Sequence, residues 1–587
     1  MTVVVGAISR NGAKLPKWLC DALLSNLSRY PGDMAETFEG DRWLLAKIDV
    51  GAYGSKGSFS VPGGPVFVMA GEPLVAGTTE GRQNRAAEGQ ALYEDLCRNQ
   101  EAVLRASTGT FCGAYYSPQE HRLVLIADKL GLRPIYYLVT QEFAVFASAL
   151  RVFEAAGLGV GNIDLRGIYE TCAFGFPLGD RTCYEGVRTI GPAELVHITQ
   201  ESETHFRYFE WDRLESTLDD GQGLAQQLVE KFEKGVERRL RGDKATLSFL
   251  SGGLDSRAIV AALRKTGVDV FTSNFAPPDT QDRVFGVLAA EALGTIHHQV
   301  DVPMSASASV YRKEYMRHWI DAREGALRRL ERPSCIWSGD GGSVGLGHVY
   351  LDPQTVAAFD GGDLEEGIRS YLRYNHISGV SNSAMTRKFQ DRTREWHIEG
   401  VREQICSLQR KPDGRALHLF LLLNDQRRHL TKHFEDIDVD RFEFHLPFFD
   451  GDFLEMIVRA PMQPFMRHEL YGKWLQVLSP IAASVPWQAY PNHEPCPVVF
   501  EGALRYQWGD YYGRAEDRRL SRKQGTQAIG RLFGGPFPSH LINRYRFTAV
   551  SIASLLGSTS YGHVVRVGDL FTRYWQQSQQ EHPGTRR

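Results

Sequence analysis

The sequence predicts an α+β domain built on layered sheets, followed by an α/β domain with a parallel sheet. Three observations carry this. The first two hundred residues hold short runs of β-branched and aromatic residues bounded by glycine and proline, the pattern of strands and turns. From Gly223 onward, apolar strands alternate with helical segments, as crossover connections in a parallel sheet require. A glycine-rich turn, Leu250-Ser251-Gly252-Gly253-Leu254-Asp255-Ser256-Arg257, separates one of those strands from the helix after it.

In chain order, strands are expected at 3–8, 65–70, 123–127, 135–139 and 143–148, with the turn-rich segment 128–134 between the third and fourth. Residues 85–105 are rich in alanine, glutamate and leucine and predict one long helix. The polar stretch 201–222 reads as a linker. A helix over 223–241 leads to a strand at 245–250. A helix at 256–266, a strand at 268–275, a helix at 282–293 and a strand at 295–302 follow. Beyond residue 305 the pattern is mostly helical, and the polar tail 576–587 is expected to be disordered. The domains are therefore expected at 1–205 and 223–510, with a helical extension and polar tail at 511–587.

Composition narrows the function classes. A chain of 587 residues suggests two or more domains, and 42% hydrophobic with 23% charged residues is ordinary for a globular protein. The net charge of -3 gives no sign of a nucleic-acid partner. No signal peptide is apparent, and no run approaches the roughly 18 apolar residues of a membrane span. Eight scattered cysteines without a CxxC pair fit reduced thiols, and a cytoplasmic location is expected.

The glycine-rich turn carries the chemistry. Two glycines let the backbone approach a ligand closely. Free N–H groups at the start of the following helix favour an anion, and Ser251 and Ser256 add hydroxyl donors. Asp255 repels phosphate by itself, so a cation between them is the natural reading, and the set suits pyrophosphate with magnesium. A ligand-free turn is the alternative, and a Gly-Gly pair alone would leave it ahead. The full SGGLDS between strand and helix favours phosphate.

SGGLDS resembles the PP-loop of ATP pyrophosphatases that make acyl-adenylates. Over nearly all of residues 1–500 the chain is similar to the asparagine synthetase family. Ala127-Asp128-Lys129-Leu130-Gly131-Leu132-Arg133-Pro134-Ile135-Tyr136-Tyr137 resembles that family's RDxxGxxPLYY turn, and Thr182 to Leu195 its stretch before the synthetase domain. Ser338-Gly339-Asp340-Gly341-Gly342-Ser343 is similar to SGEGxD, and Glu443 to Asp450 to ExRxPFLD. Tyr471-Gly472-Lys473 matches the segment with the family's catalytic lysine. The resemblance implies a four-layered αββα, Ntn-hydrolase-like (glutaminase) domain, then a PP-loop parallel-sheet domain of the adenine nucleotide alpha hydrolase kind with a helical C-terminal part.

It also implies roles. Leu250, Ser251, Gly252, Gly253, Asp255 and Ser256 hold the pyrophosphate of ATP, with Asp255 on Mg2+. The strand 271–275, with Ser273, lies beside the adenine. Gly339 and Asp340 border the AMP and acyl site, and Lys473 stabilises charge developing on the adenylate. Asp340, Glu443 and Lys473 form the catalytic set. The alternatives are a structural ion pair for Glu443 and a solvated surface lysine for Lys473.

The sequence departs from the family in two places. Glutamine-hydrolysing members need a cysteine directly after the initiator methionine. Here Thr2 stands there, the first cysteine is Cys20, and the RGPD stretch is missing. The first domain therefore reads as a structural relic that releases no ammonia, with Thr2 as a short extension before the family strand. Ser343 replaces the family's magnesium-binding aspartate. His297-His298 suggest a metal, but adjacent strand residues point apart, so core or surface histidines are the better reading.

Three functions remain open. One is intramolecular amide formation, as in the cysteine-lacking lasso-peptide cyclases and β-lactam synthetases. Its partners would be a precursor peptide and its processing protease. The length between Ser343 and Glu443 suits a large substrate and favours macrolactam closure. Another is amidation of a metabolite or sugar acid with ammonia or a separate amine. The third is a non-catalytic nucleotide-binding partner protein.

Overall fold

The computed structural model describes residues 2–75, 84–216, 223–301, 313–316, 320, 325–380, 384–506 and 514–580. Its first twelve strands are β1 (Thr2–Ser9), β2 (Glu36–Gly40), β3 (Trp43–Asp49), β4 (Ser58–Ser60), β5 (Val66–Gly71), β6 (Phe111–Ser117), β7 (Arg122–Ala127), β8 (Tyr136–Val139), β9 (Phe143–Ala147), β10 (Arg188–Thr189), β11 (Glu194–Ile198) and β12 (Glu203–Arg207). They form two antiparallel sheets in the orders β10-β8-β9-β1-β3-β2 and β12-β11-β7-β6-β5-β4.

Side-chain alternation stacks these sheets face to face. Val4 and Ile8 of β1 meet Leu45, Val68, Leu125 and Phe146 in the core between them. Val3, Val5 and Ala7 point the other way, onto Leu19 and Leu23 of the helix Lys17–Ser25. The outer face of the second sheet packs Phe67, Met69 and Val124 against Leu92 and Leu96 of the helix Arg85–Cys97. The result is the αββα layering that the resemblance implies.

Four boundaries differ from expectation. Thr2, read as a short extension before the strand, is the first residue of β1 and pairs in register with Asp49. The helix expected over 85–105 is two, Arg85–Cys97 and Ala102–Ala106. Asn99 between them takes φ +53°, and Asp95 accepts a hydrogen bond from the Val103 amide at 2.7 Å, which turns the chain. The stretch read as a linker contains β12 and a buried Trp211 whose indole N–H donates to the Lys129 carbonyl at 2.6 Å. Residues 217–222 of it lie outside the described residues. The tail read as disordered from 576 instead continues the helix Gly562–Ser578, with Gln576 donating to the Arg531 carbonyl at 2.7 Å. Residues 581–587 lie outside the described set.

The second domain has a five-stranded parallel sheet, order β15-β14-β13-β16-β17: β13 (Ala245–Phe249), β14 (Asp269–Asn274), β15 (Ile296–Gln299), β16 (Cys335–Trp337) and β17 (Glu443–His445). From β13 the chain runs outward to β14 and β15, then returns to the other side for β16. The strand order therefore reverses between β13 and β16. Open parallel sheets bind ligands in the crevice at such a point, beyond the carboxyl ends of the strands. The long segment between Ser343 and Glu443 includes the helices Leu364–Tyr374 and Trp396–Cys406, around a core that also takes in Leu178 of the first domain and Met466.

Buried ion pairs join the two domains. Arg133, from the turn before β8, grips Glu443 of β17 with two bonds, Nη1–Oε1 at 3.2 Å and Nη2–Oε2 at 2.5 Å. Arg241 bonds Glu72 at 2.7 Å and Glu88 at 2.8 Å. Among the described residues no helix is long and apolar enough to cross a membrane, and all eight cysteines are free thiols.

Candidate active site

Residues 250–256 leave β13 at the switch point and enter the helix Leu254–Lys265. Asn274 at the end of β14 holds the turn by donating to the carbonyls of Leu250 at 2.9 Å and Asp282 at 3.2 Å. The Gly252 amide donates to Asp282 Oδ1 at 2.6 Å. A Cβ on Gly252 would lie 2.6 Å from the Gln281 carbonyl, so only glycine permits this approach. The helix starts at Gly253 with no side-chain cap, leaving its first N–H groups for an anion. Ser256 Oγ accepts from the Ser251 amide at 2.9 Å and lies 2.9 Å from Ser251 Oγ. Arg257, fully buried, ties this turn to the chain ahead by donating to the carbonyls of Val485 at 2.7 Å and Pro486 at 2.8 Å.

The second turn, 338–343, leaves β16 beside it. Cβ atoms at Gly339 and Gly342 would lie 2.9 Å and 2.5 Å from Asp255 side-chain atoms, so glycine at both positions lets the turns touch. Ser343 then donates to Asp255 twice. Its amide lies 3.0 Å from Oδ2 and its hydroxyl 2.9 Å from Oδ1. The Tyr471 hydroxyl donates to Asp255 Oδ1 at 2.7 Å. Burial pushes the Asp255 carboxyl up to about 6, against the lowering effect of the Tyr471 and Ser343 hydrogen bonds. Asp340 accepts from Ser338 Oγ and lies 2.9 Å from His429 Nε2.

Both turns open onto one cavity of about 690 Å³. Ser251, Asp255, Ser256, Gly339 and Asp340 line it, as expected from the sequence. Leu250, Gly252, Gly253 and Ser273 do not. Leu250 and Ser273 are buried behind the turn and pair there, Leu250 amide to Ser273 carbonyl at 3.0 Å, while Gly252 and Gly253 shape its backbone. The far wall comes from Tyr350, Tyr374, Gln426, His429, Tyr490 and His493.

Two of the expected catalytic residues stand elsewhere. Lys473 is exposed and lines an adjoining, smaller cavity with Leu254, Glu469 and Trp487, which shares Tyr490 with the first. The reason is helical geometry. Tyr471 and Lys473 share the helix Glu469–Leu478, and side chains two apart point to opposite faces. Tyr471 takes the face toward Asp255. Glu443 is fully buried in its ion pair with Arg133 and does not line the cavity, which corresponds to the ion-pair alternative. Burial alone would raise the Glu443 carboxyl, but the Arg133 guanidinium outweighs it and holds the group below its usual range.

Asp255 is a single carboxylate with its oxygens already hydrogen-bonded, and no group of three potential metal-ligating side chains occurs among the described residues. This donor set does not fit an all-protein metal cage. It does fit magnesium carried in on phosphates, which takes only one or two carboxylates from the protein. Ser343→Asp tests the point. Two buried carboxylates side by side should destabilise the metal-free protein by about 3 kcal/mol or more. Added magnesium should restore the loss, read as the melting temperature with and without EDTA.

With this geometry in view, residues 86–209 match the model of the glutamine amidotransferase domain, and residues 227–328 that of asparagine synthase. Over these two stretches the chain is similar to an amidotransferase domain followed by an asparagine synthase domain. It is 25% identical over 235 residues to asparagine synthetase [glutamine-hydrolyzing] 3 of Bacillus subtilis, covering 37% of this chain and 38% of that one. A putative asparagine synthetase of Mycobacterium bovis is 26% identical over 220 residues, 36% of this chain and 34% of the other. An amidase, chyE, of Penicillium rubens is 24% identical over 177 residues, 29% and 26%. The alignments thus span less than two-fifths of the length of these relatives. The asparagine synthase match takes in the turn at 250–257 and ends before the turn at 338–343.

Proposed function

We propose that this protein is an ATP-dependent amide ligase that adenylates a carboxylate and passes the acyl group to an amine. The observation that carries this is the meeting of two glycine-rich turns, 250–256 and 338–343, on one cavity at the switch point of a parallel sheet. In this reading the uncapped helix start and the Ser251 and Ser256 hydroxyls hold the pyrophosphate of ATP. Magnesium arriving with ATP would be held by Asp255 and would neutralise phosphate charge. Asp340, fixed by Ser338 and His429, stands where the acyl group and the incoming amine meet. Holding both in one cavity converts their encounter into a near-intramolecular step.

The finer reading is lactam closure within one substrate, in the manner of a lasso-peptide cyclase. The size of the cavity supports it, as does a wall drawn from the helical segment after Ser343, through Tyr350 and Tyr374. Glutamine is not the nitrogen source in this reading. β1 holds no cysteine, and Asp49, paired in register with the start of that strand, is bound by Lys47 at 3.4 Å and Arg85 at 3.2 Å.

Pyrophosphate release from ATP and magnesium, measured across carboxylates and candidate precursor peptides with and without glutamine, tests both parts. Substrate-dependent release, indifferent to glutamine and without glutamate formed, is the expected result. Glutamate production would overturn the view of the first domain. ATP binding with no release on any substrate would favour a non-catalytic nucleotide-binding role.

A further inference from the structure

The C-terminal helices reverse the usual order of a surface helix. The helix Arg544–Leu555 packs on the helix Arg514–Phe533 mainly through small and polar residues. A Cβ on Gly525 would collide with the Leu555 amide, so the two backbones touch there. Ser521 Oγ donates to the Ser554 carbonyl at 3.4 Å, and the buried Ser551 hydroxyl donates back to the Phe547 carbonyl at 2.7 Å. Phe547, Ser551 and Ser554 are the buried residues of this helix, so a single large apolar side chain points inward. The other apolar residues point outward. Tyr545 is 88% exposed, Ile552 45% and Leu555 38%, and Leu556, just past the helix, is 76% exposed. A helix on a finished surface turns such residues to the core, and apolar residues grouped on the outside mark a contact site.

Their spacing gives the shape of what covers them. Tyr545, Thr548, Ile552 and Leu555 recur at alternating steps of three and four residues, with Ala549 and Leu556 beside them. That is the seam onto which a second helix packs, and it runs for about 15 Å. A lipid surface asks for a broad apolar face, whereas this is one seam with the polar Thr548 inside it.

Charge gives the chemistry. Residues 514–580 hold ten lysines and arginines against three acidic residues, in a chain whose net charge is -3. Arg518, Arg522 and Arg546 are exposed. The first two reach the Leu556 end of the seam, where a Cβ on Gly557 would lie 3.3 Å from Arg522 Nε and 3.6 Å from Arg518 Cβ. Arg546 stands at the other end, next to Tyr545. Flanking charges choose the partner of a helical seam. With cations at both ends, a second copy of this seam meets like charge in either orientation, while an acidic helix meets opposite charge.

We propose that the seam at 545–556 is a docking surface for an acidic amphipathic helix of a partner protein. Apolar side chains of that helix cover Tyr545, Ile552 and Leu556, and its carboxylates meet Arg518, Arg522 and Arg546. None of these residues lines the cavity at the two glycine-rich turns, so the inference is independent of the ligase reading.

The test titrates the full-length protein with two peptides of about 21 residues, each with leucine at the a and d positions of its heptads. One carries glutamate at the flanking e and g positions and the other lysine, and fluorescence anisotropy reads binding. The glutamate peptide should bind at least about tenfold more tightly than the lysine peptide, and its binding should weaken as salt is raised. Ile552→Gln with Leu556→Gln, at exposed positions, should weaken it about tenfold or more. Arg518→Glu with Arg522→Glu should move the preference to the lysine peptide, a reversal that loss of folding cannot produce. Equal binding of the two peptides, binding of neither, or wild-type behaviour in both variants would overturn the proposal. Binding to phosphatidylserine vesicles by protein that ignores both peptides would overturn it in favour of a lipid surface. A dimer in solution that Ile552→Gln with Leu556→Gln dissolves would overturn it in favour of a second copy of this chain.

Discussion

Asp255→Asn should sharply reduce ATP-dependent pyrophosphate release while making the second domain more stable at neutral pH. The two effects share one cause. A carboxyl moved by burial from its ordinary 3.8 to about 6 binds its proton more tightly in the folded than in the unfolded protein. Its contribution to stability is therefore most favourable below about pH 4 and worsens as pH rises toward 6. Once ionised above that, it costs the fold about 3 kcal/mol. Asparagine removes the charge but offers one acceptor to three donors, from Ser343 N, Ser343 Oγ and Tyr471 OH. The net gain should be on the order of 1 kcal/mol, visible as a raised melting temperature at pH 7 and none at pH 4. Pyrophosphate release should fall by on the order of 10²–10³ or more, the usual loss for one electrostatic group at a reacting centre. A variant that loses stability and keeps activity would make Asp255 a structural residue and remove the case for a phosphate site.

That trade-off explains which parts of the site the sequence exposes. The turn at 250–256 is legible because its function is local. Glycines, hydroxyls and one carboxylate must lie within a few residues to wrap a phosphate, and the flanking strand and helix have their own periodicities. The turn at 338–343 is legible for the same reason. Tyr471 reaches Asp255 across 216 residues of chain, and no spacing within its own segment signals that. Lys473, two positions on, carries the more suggestive side chain, and only the helix phase reveals that it faces elsewhere. Gln426, His429 and His493 come together from two distant segments. Alone, each reads as an ordinary polar residue in a helical stretch or loop. At the level of the fold, alternation in β1 and the strand–helix alternation after Gly223 predict the layers. The break at Asn99 rests on one short-range hydrogen bond, from the Val103 amide to Asp95, and the burial of Trp211 on a tertiary contact, and neither is visible in local composition.

Glu443→Ala should be the most damaging single change outside the cavity. It leaves the Arg133 guanidinium buried without its counter-charge, with the Thr110 carbonyl at 3.2 Å, the Tyr53 hydroxyl at 3.0 Å and the face of the Phe434 ring as its remaining contacts among the described residues. The expected loss is about 3–5 kcal/mol, the cost of stranding a buried charge. Arg133→Met combined with Glu443→Met should cost far less, since removing both charges also removes their desolvation, and the difference is a double-mutant cycle read by denaturant unfolding. The pH dependence provides a second check. Arg133 holds the Glu443 carboxyl below its ordinary 4.5, so the pair's contribution is present above that value and is lost as pH falls through the depressed one. The wild type should therefore lose stability in acid more steeply than the double variant. Activity should follow structure here. β17 lies beside β16, and the His445 carbonyl accepts from the Ser338 amide at 3.1 Å, at the start of the turn that carries Asp340. A loosened Glu443 should blur the position of Asp340 and lower the rate, whereas the charge-free double variant, if it holds β17 in register, should retain most of it. Loss of activity in a fully folded double variant would instead make Glu443 a participant in the reaction.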